Sequence, residues 1–343
     1  MPTVSDPAER FCRWLEGNAD FTEVRIARRL AGGNANVTSL VETATGPLVL
    51  RHPPSNTVSE LAGAGIAREF RFLSAIAGKA PVAEPILFCE DTEILGAPFS
   101  LTRFVQGTAI TDTLPPAYSN DIATIDAVGV TLIDALAKVH AIAPVPEGLG
   151  DALKARHFVA RQIERWRAVR SADAVRDLPL VEVLGTWLAD NVPEPETVRI
   201  VHCDYHLDNV LMDTTEPKVR AILDWEMATL ADPLVDVGLV TAMWNRDESL
   251  PLGFAFVQRV SNVKGAIGNG ELAQRWANST GLSIEHLLYF QVFALWRLAV
   301  IVEGAYILFR NGRVDGPYER GLEHDVPALL DAAQRIAQIR GMA

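Results

Sequence analysis

The chain is short of several things, and each shortage removes a class of protein. Among 343 residues there are three cysteines, Cys12, Cys89 and Cys203, an odd number with no Cys-x-x-Cys pair. A disulfide framework and a zinc knuckle are therefore not expected, and a reducing, cytoplasmic setting is the expectation. Basic residues are outnumbered, 31 Lys and Arg against 43 Asp and Glu, for a formal net charge of −12. A nucleic-acid binder needs a basic face, so none is expected as partner. The N-terminus carries Asp6, Glu9 and Arg10 instead of a basic patch leading an apolar run, so no signal peptide is read. Uninterrupted apolar stretches are missing too. The longest, Phe293 to Leu308, is broken by Arg297 and Glu303, which favours a buried core helix over a membrane span. No internal repeat or low-complexity tract is present.

What remains is ordinary globular material, 49% hydrophobic and 22% charged. Its length suggests about two domains. The texture divides near Gln106-Gly107. Before it, Glu23–Leu30, Val37–Thr43, Leu48–Arg51 and Phe99–Val105 read as strands, and Pro53-Pro54 ends the third because proline cannot donate to a ladder. Thr57-Val-Ser-Glu60 has the form of a capping box opening a helix that runs to about Ala77. On it Ala62, Ile66, Glu69, Leu73 and Ile76 share one face, which sets a carboxylate inside an apolar stripe. Such a carboxylate needs a cation, and Arg51 at a strand end is the candidate. After Gly107 helices are expected at Ile122–Ile142, Ala152–Val169 and Leu178–Asn191, with short strands at Val198–Val201, Val210–Met212 and Val219–Leu223, and mostly helix from Pro233 to Ile339. The expectation is an α+β chain of two lobes: residues 1–105, a small antiparallel β-rich lobe with one helix, and residues 106–343, a larger and mostly helical one.

The chemistry concentrates in two segments. Ile200-Val-His-Cys-Asp-Tyr-His-Leu-Asp-Asn209 contains His202-x-Asp204-x-x-x-x-Asn209, and Ala221-Ile-Leu-Asp-Trp-Glu226 follows with Asp224 fifteen residues after Asn209. Both clusters sit at the ends of short apolar strands. Phosphoryl transfer requires a carboxylate to orient the attacking hydroxyl and accept its proton, and oxygen ligands to hold magnesium on the phosphates. Asp204 suits the first task, Asn209 and Asp224 the second. A rival reading takes His202, Asp204 and His206 as ligands of a catalytic metal in a hydrolase, since positions i, i+2 and i+4 share a strand face. No further histidine lies nearby in sequence to strengthen it.

These motifs resemble the aminoglycoside phosphotransferase and choline kinase superfamily, whose pattern is H-G-D-x-H-x-x-N followed by I-D-W/F-E. The resemblance is closest to the branch that includes the kinase-like domain attached to some acyl-CoA dehydrogenases. Leu50-Arg-His-Pro-Pro54, Arg68-Glu-Phe-Arg-Phe-Leu73, Pro98 to Gly107 and Asp232-Pro-Leu-Val-Asp236 match that branch in order. It implies a bilobal protein-kinase-like fold with ATP and Mg2+ in the cleft. By the same resemblance Asp204, beside His202, would be catalytic and Asn209 and Asp224 would hold the metal. Arg51 would stand where a phosphate-contacting lysine is usual, with Glu69 its partner, and Asp236 would buttress the catalytic loop. Backbone groups of Thr102, Arg103, Phe104 and Val105 would meet adenine. The turn Ala31–Asn36, with Gly32, Gly33 and Asn34, could cover the phosphates, although alone it reads as an ordinary hairpin turn.

Three departures stand out. Arginine replaces lysine at 51, and its planar fork is not equivalent to an ammonium. Cys203 replaces the glycine between His and Asp and reads as a packed loop residue. D-F-G and A-P-E are absent, so control by a phosphorylated activation loop is not expected. Trp244, Trp276, Tyr289, Phe293, Trp296 and Tyr306 could line an acceptor pocket, though core packing is the favoured reading. The acceptor implied is a hydroxyl on a small molecule such as a hydroxyacyl-CoA-like metabolite. Alternatives are an aminoglycoside or choline-like amino alcohol, a catalytically silent nucleotide-binding module, and the metal-dependent hydrolase. Oligomeric state is not legible.

Overall fold

The computed structural model describes residues 6–18, 20–30, 36–54, 60–244 and 258–338. The described residues form two compact units, 1–106 with 220–228, and 107–219 with 229–343. The second return of the chain to the first unit is the main difference from a division after residue 105. It gives the segment bearing Asp224 to the first unit.

The first unit is a five-stranded antiparallel sheet in the order β1-β2-β3-β5-β4. Its strands are β1 (Arg25–Arg29), β2 (Val37–Glu42), β3 (Leu48–His52), β4 (Pro85–Cys89) and β5 (Phe99–Arg103). Register pairs Thr38 with Arg51 and Arg51 with Ser100, so Arg51 lies on a central strand, flanked on both sides. Alternation does the rest: Leu48 and Leu50 face the core while Arg51 points the other way. The core gathers Val41, Leu48, Leu50, Phe99 and Leu101 with Phe11 and Leu15 of α1 (Pro7–Asn18). The long helix α2 (Glu60–Ile76) buries Ile66, Glu69, Leu73 and Ile76, the apolar face expected from their spacing. A short helix α3 (Thr92–Leu95), capped by Asp91, completes the set. Among its described residues the unit thus has three α-helices where the sequence suggested one. Strand β4 went unread because Ile86-Leu87-Phe88 is a continuous apolar run without alternation, and helix α1 although Asp6-Pro7 and Gly17-Asn18 mark its two ends.

In the second unit α4 (Ile122–His140), α5 (Ala152–Arg156), α6 (Phe158–Asp173) and α7 (Pro179–Asp190) come first. One predicted helix, Ala152–Val169, is two, broken at His157. The strands β6 (Arg199–Val201), β7 (Val210–Met212) and β9 (Thr229–Ala231) follow, with β6 and β9 antiparallel, while the intervening β8 (Val219–Ile222) belongs to the first unit from Arg220 onward. Helices α8 (Leu234–Met243), α9 (Asn269–Thr280), α10 (Leu287–Arg310) and α11 (Pro317–Ala337) close the unit.

Helix α10 is the hub, packed on α8, α11, α7 and α6. By length and composition it could cross a membrane, yet 67% of its most apolar window is buried inside the protein. The two charges in its interior, Arg297 and Glu303, have protein partners. Glu303 receives both arms of the Arg176 fork, at 3.1 and 2.5 Å, and Arg297 reaches the carbonyl of Cys203 at 2.7 Å. Gly238 on α8 sets the spacing of α8 and α10, for a Cβ there would lie 2.6 Å from the Phe290 backbone. Trp244, Trp276, Tyr289, Phe293, Trp296 and Tyr306 are all buried core residues, which removes them as exposed pocket lining.

Candidate active site

The loop from His202 to Asn209 begins where β6 ends. His202 and Cys203 turn the chain, and the Cys203 backbone takes the left-handed conformation, φ 68°. This explains why glycine is usual here, since any Cβ is strained in that region. Three contacts hold the loop open at this point. Asp236, fully buried on α8, accepts the backbone N–H of His202 through Oδ2 and that of Cys203 through Oδ1, both at 2.7 Å. His140 Nε2 donates to the same Asp236 Oδ2 at 3.2 Å. The tautomer follows from Trp276, whose indole N–H donates to His140 Nδ1 at 3.0 Å and so requires a lone pair there. His140 was not singled out from sequence, and Trp276 only as a core residue that could line an acceptor pocket. Their signal, a histidine ending a helix and a tryptophan far along the chain, acquires meaning only through folding.

Asp204 follows the turn. Burial alone would raise its carboxyl, but the charge and hydrogen bonding of His206, with His202 and Arg297 adding charge, hold it down at about 2. His206 Nε2 lies 3.6 Å from Asp204 Oδ1, an ion-pair separation, and its Nδ1 lies 3.0 Å from Asp208 Oδ2. Burial disfavours the His206 imidazolium, yet these two carboxylates raise its pKa. Asn209 Nδ2 donates to the carbonyl and to Oδ2 of Asp204, each at 2.9 Å, which leaves the Asn209 side-chain carbonyl for another partner. A one-turn helix, Leu207–Asn209, produces this approach. His202 is fully buried beneath the loop. It accepts the Asp204 N–H at 3.3 Å and so shapes the loop.

The first unit supplies a second cluster. Arg51 Nη1 donates to Glu69 Oε1 at 2.5 Å and Nη2 to Asp224 Oδ1 at 3.3 Å. Asp224 stands just after β8 with φ 64°, a left-handed conformation that costs a non-glycine residue about 1–3 kcal/mol and tends to mark functional sites. The following turn, Trp225–Met227, packs on α2, with Trp225 buried and its indole N–H donating to the Ile222 carbonyl at 3.0 Å. Glu226 accepts from Asn36 Nδ2 at 3.1 Å. Three carboxylates, Glu69, Asp224 and Glu226, therefore surround one guanidinium. Burial pushes the Glu69 carboxyl up to about 7; Arg51 opposes this, and Asp224 and Glu226 reinforce it. Excess negative charge built from hard oxygen donors around Asp224 is of the kind that suits a magnesium ion.

The four residues Thr102 to Val105 differ in what they can offer. The Arg103 N–H is committed to the Glu84 carbonyl at 2.8 Å and the Phe104 N–H to the Pro47 carbonyl at 3.1 Å. Thr102 lies in the β5 ladder. Val105 follows the strand and keeps its N–H outside these bonds. Gly32, Gly33 and Asn34 lie outside the described residues, as do the first three positions of the capping box. A cavity lined by Glu194, Glu196, Asp232 and His286 opens at the start of β6, the end away from His202.

Residues 26–266 match the model of the phosphotransferase enzyme family. The chain belongs to this family. Mouse acyl-CoA dehydrogenase family member 10 is 27% identical over 308 residues, covering 89% of this chain and 28% of that protein. Chicken acyl-CoA dehydrogenase family member 11 is 29% identical over 315 residues, covering 89% of this chain and 40% of that protein. The chain thus spans well under half the length of the curated relatives it matches. A crystal structure from Ralstonia eutropha, assigned as an aminoglycoside phosphotransferase, superposes with TM-score 0.80 at 26% identity, covering 97% of this chain and 99% of that one. An aminoglycoside phosphotransferase bound to ADP and hygromycin B shares the fold, with TM-score 0.60 at 16% identity over 96% of this chain. The protein is therefore a small-molecule phosphotransferase of kinase-like α+β fold acting on a hydroxyl group. This sets aside the hydrolase reading. Among the described residues, moreover, no three His, Cys, Asp or Glu side chains gather as a metal cage.

Proposed function

We propose that this phosphotransferase moves the γ-phosphoryl group of ATP, with magnesium, onto the hydroxyl of a small acceptor of the hydroxyacyl-CoA type. The observation that carries the reading is the catalytic loop: an ionised Asp204 on a backbone turn clamped by Asp236. In this reading Asp204 orients the acceptor hydroxyl and takes its proton as the phosphoryl group is transferred. Asn209 and Asp224 hold the metal, which neutralises charge on the phosphates. Arg51, fixed by Glu69, contacts the phosphates, and the Val105 N–H is the backbone donor offered to adenine. The acyl-CoA side of the reading rests on the relatives, whose longer chains are named as acyl-CoA dehydrogenases.

The test is a screen in which purified protein, ATP and magnesium are incubated with hydroxylated acyl-CoA thioesters, aminoglycosides and choline-like amino alcohols, with ADP release and product mass both read. An 80 Da mass gain on a hydroxyacyl-CoA is the expected result. Phosphorylation of an amino alcohol alone would replace the acceptor class. No ATP binding at all would leave the silent-module alternative standing.

A further inference from the structure

Helix α10 carries a guanidinium deep in an apolar setting. Arg297 is 7% exposed, and its Nε is buried without a hydrogen-bond partner. It has no ion-pair partner among the described residues, unlike Arg176, Arg275 and Arg51, each of which holds a carboxylate. Its charge is felt by the Asp204 carboxylate, which it helps to keep ionised without forming an ion pair, and as a helix packing residue an apolar side chain of similar length would suit the site better. What the guanidinium does hold is the carbonyl of Cys203, at 2.7 Å. That carbonyl belongs to the peptide leading directly into Asp204, and Cys203 is the residue forced into the left-handed region. Asp236 grips the N–H side of the same turn. The turn is therefore held from both sides, by a carboxylate on α8 and a guanidinium on α10, the two helices that Gly238 lets approach.

We propose that Arg297 is a positioning residue for phosphotransfer: it pins the Cys203 carbonyl and so fixes the strained peptide that presents Asp204. The proposal rests on Asp204 being the catalytic carboxylate, as argued above. Where glycine fills position 203 the turn has no Cβ strain and needs less restraint. Cysteine at 203 and arginine at 297 thus form a coupled pair.

The test uses the whole chain with MgATP and water as acceptor, so that no acceptor need be known. Slow ATP hydrolysis, thermal unfolding and peptide-resolved labelling of Cys203 by a thiol reagent are measured. Arg297→Met is expected to unfold at the same temperature as wild type or higher, because a costly buried charge is gone. Its kcat should fall roughly 10- to 100-fold with KM for MgATP within about threefold, the signature of a displaced catalytic group. Cys203 labelling should rise about tenfold, and Arg297→Lys should lie between. In a Cys203→Gly background the same Met substitution should cost less than about threefold. A purely structural role would lower the unfolding temperature and leave the kcat of the folded fraction alone. That outcome, a kcat within twofold of wild type, or an equal loss in both backgrounds would overturn the proposal. If Arg297→Met does not fold, Arg297→Lys decides: wild-type labelling of Cys203 in that variant refutes the assignment. If the wild type neither binds nor hydrolyses ATP, the proposed function fails instead, and Cys203 labelling alone judges Arg297, an unchanged rate refuting the pinning.

Discussion

Glu69 gives the most demanding quantitative expectation. Its carboxyl is displaced from 4.5 to about 7, and a shift of that size corresponds to roughly 3 kcal/mol. Between those two values the unfolded chain has lost the Glu69 proton while the folded chain keeps it. Folding then binds a proton, so stability falls as pH rises through this window. Below about 4.5 both states are protonated and no penalty exists; above about 7 the penalty is complete. Glu69→Gln keeps the shape and is neutral throughout. It should match wild type near pH 4 and be more stable by up to about 3 kcal/mol at pH 8. Arg51 does not lose its last partner in that variant, because Asp224 remains at 3.3 Å. Arg51→Ala is the opposite case. It leaves Glu69, Asp224 and Glu226 without their cation and should cost about 3–5 kcal/mol at pH 8, the range for a broken buried pair. The double variant should then be less damaged than Arg51→Ala alone, since the most buried of the three carboxylates has been neutralised. Urea denaturation followed by tryptophan fluorescence from pH 4 to 8.5 tests all three, with Trp14 and Trp225 reporting on the first unit. A difference between wild type and Glu69→Gln that does not change with pH would refute the argument. So would a loss below about 1 kcal/mol for Arg51→Ala, which is the behaviour of an exposed pair.

Asp204→Asn should retain ATP affinity and lose about 10²–10⁴-fold in transfer, read by ADP release once an acceptor is in hand. Activity within a few-fold of wild type would remove Asp204 from the reaction. Asp224→Ala should weaken nucleotide binding far more with magnesium than without, by calorimetric titration in both conditions; equal losses would make it a structural carboxylate. Asp236→Asn offers one acceptor oxygen where the loop and His140 present three donors, and turns an N–H₂ toward them. A loss of about 2–4 kcal/mol in urea denaturation is expected, with transfer impaired even in folded protein.

The family was legible in the sequence because its signature is local. His202 to Asn209 and Ala221 to Glu226 are short segments in which spacing along the chain is nearly spacing in space, so residue type alone exposes the chemistry. Strands β2, β3 and β5 and helix α2 were legible for a similar reason, since alternation and the three-and-four spacing record which face is buried. The buried carboxylate of Glu69 and its need for a cation followed from the same pattern. What the sequence could not decide is everything that depends on long-range approach. Nothing along the chain says that 220–228 returns to the first unit and brings two more carboxylates to Arg51, which add to the effect of burial in raising the Glu69 carboxyl. His140, Trp276 and Arg297 looked like ordinary members of apolar helices until α4, α9 and α10 brought them to the catalytic turn. Propensity and periodicity fix which face of a helix is buried. The close packing of that face against its neighbours, set here by Gly238, decides which buried polar group meets which backbone atom.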